Sequence, residues 1–406
     1  MPSAVIKKGK GKFFGIALAV ILVCFFFFTF GLIVGKIGAG KLSLNVSPNL
    51  YAETELPAAF NNTLFKQVWT IIRDDYVDKG KLNDKDLFYG ALAGFVSGVG
   101  DPYTVFFDPE TTKEFEEQIS GQFQGIGAEI GLKDGAVVVV APLPDTPASR
   151  AGILAGDRIF AVDGQDIFGL SLDKVVRLIR GEKGTTVKLL LSRGEDDAKE
   201  LSIVRDVIEV KSVKWTWRDD GIVYVEISAF NEDTALLFKK FVKEVKGKDP
   251  KGIIVDLRNN PGGLLDAALE LSAYWLENKL MLIEKFGDGK EIKYDSDTNA
   301  LFGNKKTIVL VNKGSASGSE ILAGALQDNK AATVVGQQTF GKGSVQALKK
   351  LPDGSSVKIT IAKWLTPSGR SISDEGVAPD VVVEITKNDV EEKRDPQLEK
   401  AVELLK

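Results

Sequence analysis

Val309-Leu310-Val311-Asn312-Lys313-Gly314-Ser315-Ala316-Ser317-Gly318-Ser319-Glu320-Ile321-Leu322-Ala323 is the stretch on which the fold of this chain turns. It reads as a buried strand that ends in a turn of small residues and leads into a helix over 319–328. The apolar runs 223–227, 252–255 and 307–311 give three short strands. Helical patterns over 234–245 and 264–276 fall between them. Strands alternating with helices predict a mixed sheet covered on its faces, in an α/β core spanning 208–387.

Upstream, 119–207 has a different texture. Strand candidates at 128–132, 136–140, 187–191 and 201–204, with one helix at 172–180, predict a small β-domain inserted before the core. Gly125, Ile126 and Gly127 precede its first strand. Glycines there let successive backbone N–H groups turn inward to form an anion nest. A peptide carboxylate fits such a nest, with the rest of the peptide adding beside 128–132 as a strand. Ile126, Val176 and Arg177 are the side chains expected in that groove. The plainer alternative is a β-domain with glycine turns and no ligand.

Still further upstream, 58–118 reads as helical, with Phe60, Leu64, Val68, Ile71 and Ile72 at helical spacing. Residues 36–57 lack periodicity and read as a linker. The run 13–35 carries no charge and is long enough, at ~1.5 Å per residue, to cross the ~30 Å of a bilayer core. Lys7, Lys8, Lys10 and Lys12 precede it, so the basic tail 1–12 is expected to stay cytoplasmic and the remainder to face outward. A cleaved signal peptide normally has a shorter apolar region. The tail 388–406 is charged and helix-prone.

Composition narrows the chemistry. The chain of 406 residues has no histidine and one cysteine, Cys24, inside the apolar run. Ser–His–Asp and Cys–His arrangements, His-based metal sites and internal disulfides are thereby removed. A net charge of −4 argues against nucleic acid as a partner. Hydrolysis would have to use Ser, Thr, Lys, Asp or Glu. A serine in the 312–318 turn sits near a helix N-terminus, where free N–H groups favour developing negative charge. Ser315 and Ser317 lie in that turn and Ser319 directly after it, and any of the three could instead cap the helix. Lys342 lies between Gly341 and Gly343, an odd setting for a solvated charge. Burial lowers a lysine pKa and makes it a base for serine. Asp256-Leu257-Arg258-Asn259-Asn260-Pro261-Gly262-Gly263 follows the strand at 252–255 and reads, by itself, as a Pro/Gly turn.

Together these segments resemble the C-terminal processing, or tail-specific, proteases of the S41 family. That resemblance, over about 60–386, implies a helical N-terminal region, a PDZ domain and a crotonase-like core. It places the nucleophile at Ser317, the general base at Lys342 and a lysine-positioning glutamine at Gln346. Gly318 stands where the family usually has alanine. The family's glycine motif maps onto Gly262 or Gly263 as an oxyanion donor, with the Gly318 N–H as partner. Asp328 matches an acidic position sometimes counted with the site. Tyr103 lies in an Asp101-Pro102-Tyr103-Thr104 segment where the family often has histidine. The expectation is a membrane-anchored, single-pass, extracytoplasmic serine endopeptidase without cofactor, acting on proteins or peptides with exposed C-termini. The family's members often pair through terminal helices, so a homodimer is a further expectation. The rivals are a catalytically inactive, membrane-tethered PDZ protein and a crotonase-like acyl-CoA enzyme.

Overall fold

The computed structural model describes residues 62–406 apart from Asp134, 194–196 and Asp374. The expected anchor at 13–35, the tail before it and the linker at 36–57 lie outside the described residues. Among the described residues no helix is long and apolar enough to cross a membrane. The chain divides into two units, 1–83 and 84–406. In the first, helix α1 (Asn62–Asp75) is described, with Leu64, Val68 and Ile71 exposed.

The second unit begins with α2 (Asp84–Ser97), β1 (Val105–Phe107) and α3 (Pro109–Ser120). Asp108 caps α3 by accepting the Thr111 N–H at 2.7 Å. The inserted domain follows: β2 (Gln122–Gly125), β3 (Ala128–Lys133), β4 (Ala136–Pro142), a helical turn α4 (Pro147–Arg150), β5 (Arg158–Val162), β6 (Gln165–Asp166), α5 (Leu172–Ile179), β7 (Thr186–Ser192), β8 (Lys199–Val204) and β9 (Asp206–Glu209). Its main sheet runs β3-β4-β5-β7-β8, so β3 is an edge strand. Alternate residues of β7, Val187, Leu189 and Leu191, point inward and meet Val175 and Ile179 of α5. The strands β2 and β9 pair with each other and close the domain at its stem.

The core contains β10 (Val213–Trp217), β11 (Ile222–Ile227), α6 (Thr234–Lys246), β12 (Gly252–Asp256), α7 (Leu265–Ser272), β13 (Glu277–Phe286), β14 (Glu291–Asp297), β15 (Thr307–Val311), α8 (Gly318–Asp328), β16 (Thr333–Gly336), β17 (Ser344–Lys350), β18 (Ser356–Leu365), β19 (Val381–Val382), α9 (Lys387–Glu391) and α10 (Pro396–Leu405). Its first sheet has the order β10-β11-β12-β15-β16-β19, parallel from β11 onward. Strand periodicity divides its residues between two apolar layers. Ile253, Val255, Val309 and Val311 face α6, α7 and α8, whereas Ile254, Ile308 and Leu310 face α10. Both faces are therefore covered, as the all-apolar runs require.

A second sheet differs from the sequence reading. Strands β13, β14, β17 and β18 join β1 in a five-stranded antiparallel sheet. The expected helix over 264–276 correspondingly stops at Ser272, and the chain enters β13 at Glu277. The pairing of β1 with β18 brings the segment before the inserted domain onto the core.

Candidate active site

The turn after β15 is packed against the loop after β12, and that packing separates the three serines. Ser315 is buried and donates to the Leu257 carbonyl at 2.7 Å. Ser319 is buried and donates to the Asn260 carbonyl at 2.9 Å. Both hydroxyls are consumed in holding the turn. The Ser317 hydroxyl donates to no described residue, and Ser317 is half-buried at the N-cap of α8. Its backbone lies at φ 51° and ψ −112°, a region that a residue with Cβ enters only under constraint.

Gly262 supplies part of that constraint. A Cβ there would stand 2.6 Å from both the Ala316 carbonyl oxygen and Ser317 Cβ, and 2.7 Å from the Gly318 nitrogen. Only glycine lets the two turns approach so closely. The Gly262 N–H is already spent on the Asn260 side chain at 2.8 Å. Asn260, fully buried, also donates to the Ile227 carbonyl at 2.7 Å and so ties the loop to β11. Among the described residues, the N–H groups of Gly263 and Gly318 donate to nothing. Of the two glycines proposed from sequence, Gly263 is thus the one with an available donor.

Glu320, which the sequence reading left unassigned, joins the serine turn to the lysine loop. It is fully buried. One carboxylate oxygen accepts from the Thr339 hydroxyl at 2.6 Å and the Gly341 N–H at 2.7 Å. The other accepts from the Ser317 N–H at 2.8 Å and the Lys342 N–H at 3.0 Å. Burial holds this carboxyl above its ordinary range, against the pull of the four donors. The available signal was a glutamate three residues after a helix-capping serine, the capping-box spacing.

Lys342 is held on both sides of its peptide unit, because its carbonyl accepts the Trp364 indole N–H at 3.1 Å. Gly343 must be glycine here: a Cβ would fall 2.4 Å from Ser373 Oγ. The ammonium nitrogen stands 5.4 Å from the centroid of the Tyr103 ring. Burial pushes the lysine below its ordinary pKa and Lys358 adds to this by repulsion, whereas Glu320 opposes it. Among the described residues no hydrogen bond joins Ser317 Oγ to Lys342 Nζ.

Gln346 and Asp328, the two further candidates, have these surroundings. Lys342 precedes β17, and a bulge between Val345 and Gln346 breaks the strand alternation. Four-residue spacing therefore does not put Gln346 and Lys342 on one strand face. The Gln346 amide donates to Ser344 Oγ at 2.8 Å and Thr360 Oγ1 at 3.4 Å. Asp328 ends α8, ~15 Å along the axis from Ser317. It pairs with Arg370 at 2.7 Å and accepts the Ser368 N–H at 2.9 Å, so it pins the 366–370 turn.

In the inserted domain, the Ile126 and Gly127 N–H groups donate to no described residue. Ile126 is buried and Val176 half-buried. Gly125 lies within the β2–β9 pair. Arg177 is directed to α3, where Glu114 takes it at 3.0 Å. A small cavity of about 160 Å³ separates α3 from this domain, lined by Glu110, Glu114, Glu117, Gln124, Arg177 and Arg180.

The geometry has counterparts in known proteins. Residues 221–383 match the model of peptidase family S41, 138–193 match the PDZ domain, and 49–111 match the N-terminal domain of the activating protease CtpB. The carboxy-terminal processing protease CtpA of Bacillus subtilis is 37% identical over 361 residues, which cover 88% of this chain and 77% of that protein. The chain belongs to peptidase family S41. A probable CtpA-like serine protease of Staphylococcus haemolyticus is 40% identical over 317 residues, 77% of this S41 chain and 62% of the relative. A solved structure assigned to the S41 proteases, from Bacteroides fragilis, superposes with a TM-score of 0.52 over 78% of this chain and 90% of that one. At 15% identity it shares the fold alone. This S41 chain is thus a protease with a PDZ domain.

Proposed function

We propose that this peptidase is a membrane-anchored, extracytoplasmic endopeptidase that cleaves protein substrates near their C-termini, with Ser317 as nucleophile and Lys342 as general base. One observation carries the assignment. Among the described residues, Ser317 alone of the three turn serines donates its hydroxyl to no partner, and Glu320 ties its backbone to that of a desolvated lysine.

In the chemical step, Lys342 Nζ, neutral, takes the Ser317 hydroxyl proton as Oγ attacks the scissile carbonyl carbon. The carbonyl oxygen becomes an oxyanion between the Gly263 and Gly318 N–H groups, aided by the α8 N-terminus. Collapse breaks the C–N bond, and the lysine returns the proton to the leaving amine. Lys342 then deprotonates a water as its oxygen attacks the acyl carbon, and returns that proton to Ser317 Oγ as the ester C–O bond breaks. The Ser317–Lys342 hydrogen bond missing from the resting geometry would form as peptide fills the site.

The edge strand β3 and the open Ile126 and Gly127 amides support capture of the substrate tail by strand addition. The uncharged run 13–35 supports the anchor and the outward location of the protease. The exposed apolar positions of α1 support pairing of two copies.

The test is mass spectrometry of the full chain quenched during turnover of a peptide ester. The expected adduct maps to Ser317 and is absent from Ser317→Ala. An adduct on another residue would overturn the assignment, and absence of any cleavage would favour a tethered PDZ binding protein.

A further inference from the structure

Tyr103 lies in the segment that precedes the inserted domain in sequence, and a turn fixes it beside Lys342. The Asp101 carboxylate accepts the Tyr103 N–H at 3.1 Å, the Thr104 hydroxyl at 2.6 Å and the Thr360 hydroxyl at 2.6 Å. Thr104 Oγ1, buried, accepts the Thr360 N–H at 3.1 Å. From Val105 the chain continues as β1, in register with Lys358 of β18. The turn is therefore fastened at side-chain and backbone level to β18, the strand beside β17. Along this frame the Tyr103 ring lies 5.4 Å from Lys342 Nζ.

An aromatic ring at that distance acts on a lysine in two ways. Its face attracts an ammonium, and its bulk keeps water from the amine in either state. Among the described residues, the charged groups that act on Lys342 are Lys358 on β18, which repels it, and Glu320 on α8, which attracts it. Asp101 partly balances Lys358. Burial is the leading influence on Lys342 and favours the neutral amine, and the Tyr103 ring is part of the surface beside Nζ.

We propose that Tyr103 is a positioning residue for Lys342, whose ring shields Nζ from water and holds it beside the serine turn. The segment before the PDZ domain thereby completes the active site of the core. This rests on the Ser317–Lys342 reading and adds to it a residue from another part of the chain. The shielding surface is the ring, which phenylalanine retains.

The experiment compares the full chain with Tyr103→Phe, Tyr103→Ala and Thr360→Val by two readouts. The first is the pH dependence of kcat and KM on a tailed peptide. The second is the titration of Lys342 by NMR of 13Cε-lysine in a Ser317→Ala background, its signal assigned by loss in Lys342→Arg. Tyr103→Phe is expected to match the native enzyme within about threefold. Tyr103→Ala is expected to lower kcat at neutral pH by about tenfold with little change in KM, and to raise the apparent pKa by about one unit in both readouts, since one unit is a tenfold change in neutral amine. Thr360→Val, which removes the hydrogen bond to Asp101 and the longer one from Gln346 and retains the branched shape, is expected to shift both in the same direction. No shift in either Tyr103→Ala or Thr360→Val overturns the proposal, as does a Phe variant as impaired as Ala. Cleavage that survives Lys342→Arg would instead remove the base assignment, and the NMR titration would still report on the ring.

Discussion

Replacing Glu320 with glutamine tests whether one buried carboxylate holds the two halves of the site together. The native carboxylate accepts four hydrogen bonds, three from backbone N–H groups and one from the Thr339 hydroxyl. Glutamine keeps one acceptor oxygen and puts an NH2 where the other stood. The less costly orientation leaves the oxygen on the Ser317 and Lys342 N–H groups and turns the NH2 toward Thr339 and Gly341. The Gly341 N–H then faces a donor, and an unsatisfied buried N–H costs about 1–3 kcal/mol. The two retained bonds lose their ionic character, at about 1 kcal/mol each. Removing a desolvated charge offsets part of this, since burial already disfavours the ionised form. The expected net loss is about 2–4 kcal/mol. For a domain of this size that lowers Tm on the order of 5–12 °C. Because the mismatch lies beside the lysine loop, kcat/KM should fall at least about tenfold. Calorimetry of the full chain and cleavage of a tailed peptide read the two effects. A variant that melts within about 2 °C of native and cleaves within about threefold would refute the role given to Glu320.

Ser317→Gly should abolish cleavage yet stabilise the fold by about 1 kcal/mol, because glycine enters φ 51°, ψ −112° without strain; urea melts check this. Gly262→Ala should lose activity and about 2–4 kcal/mol, since its Cβ would collide with the Ala316 carbonyl and Ser317 Cβ at φ 95°; equal stability by calorimetry would contradict it. Arg258→Ala should cost about 3–5 kcal/mol, because it strands buried Asp256 and releases Asp395, the N-cap of α10; early proteolysis at the C-terminus would report the release.

Much of the core was legible because its central strands are buried on both faces. Runs such as 252–255 and 307–311 have no solvent side, so they appear as unbroken apolar stretches. The second sheet was not legible. β14 reads Glu291-Ile292-Lys293-Tyr294-Asp295-Ser296-Asp297, with polar residues facing outward, and β1 finds its partner only at β18. Such pairing leaves no local signal. The site divides the same way. Lys342 stood out through its flanking glycines. The residues alone left Ser315, Ser317 and Ser319 open and the resemblance picked Ser317; the physical distinction between them lies in the Leu257 and Asn260 carbonyls, on a loop distant in sequence. Glu320 had the capping-box spacing, but its partners at 339–342 are set by tertiary packing. Tyr103 could be placed near the lysine only once β1 was paired with β18.

The pH dependence of kcat/KM, for the native chain and for Lys342→Arg, bears most directly on the serine–lysine chemistry. Burial lowers the folded pKa of Lys342 below its ordinary value, so the neutral, active base accumulates at a lower pH than for a free lysine. The sign for stability is the same: the desolvated ammonium costs stability below the folded pKa, and stability rises with pH from there toward ~10.5. The expected native profile climbs through one deprotonation whose apparent pKa lies below ~10.5, with no histidine step. Lys342→Arg is expected to lose at least about a thousandfold and the climb with it, because arginine stays protonated. A native rate that is flat with pH, or an arginine variant that keeps the native profile, would contradict the assignment of Lys342 as the base.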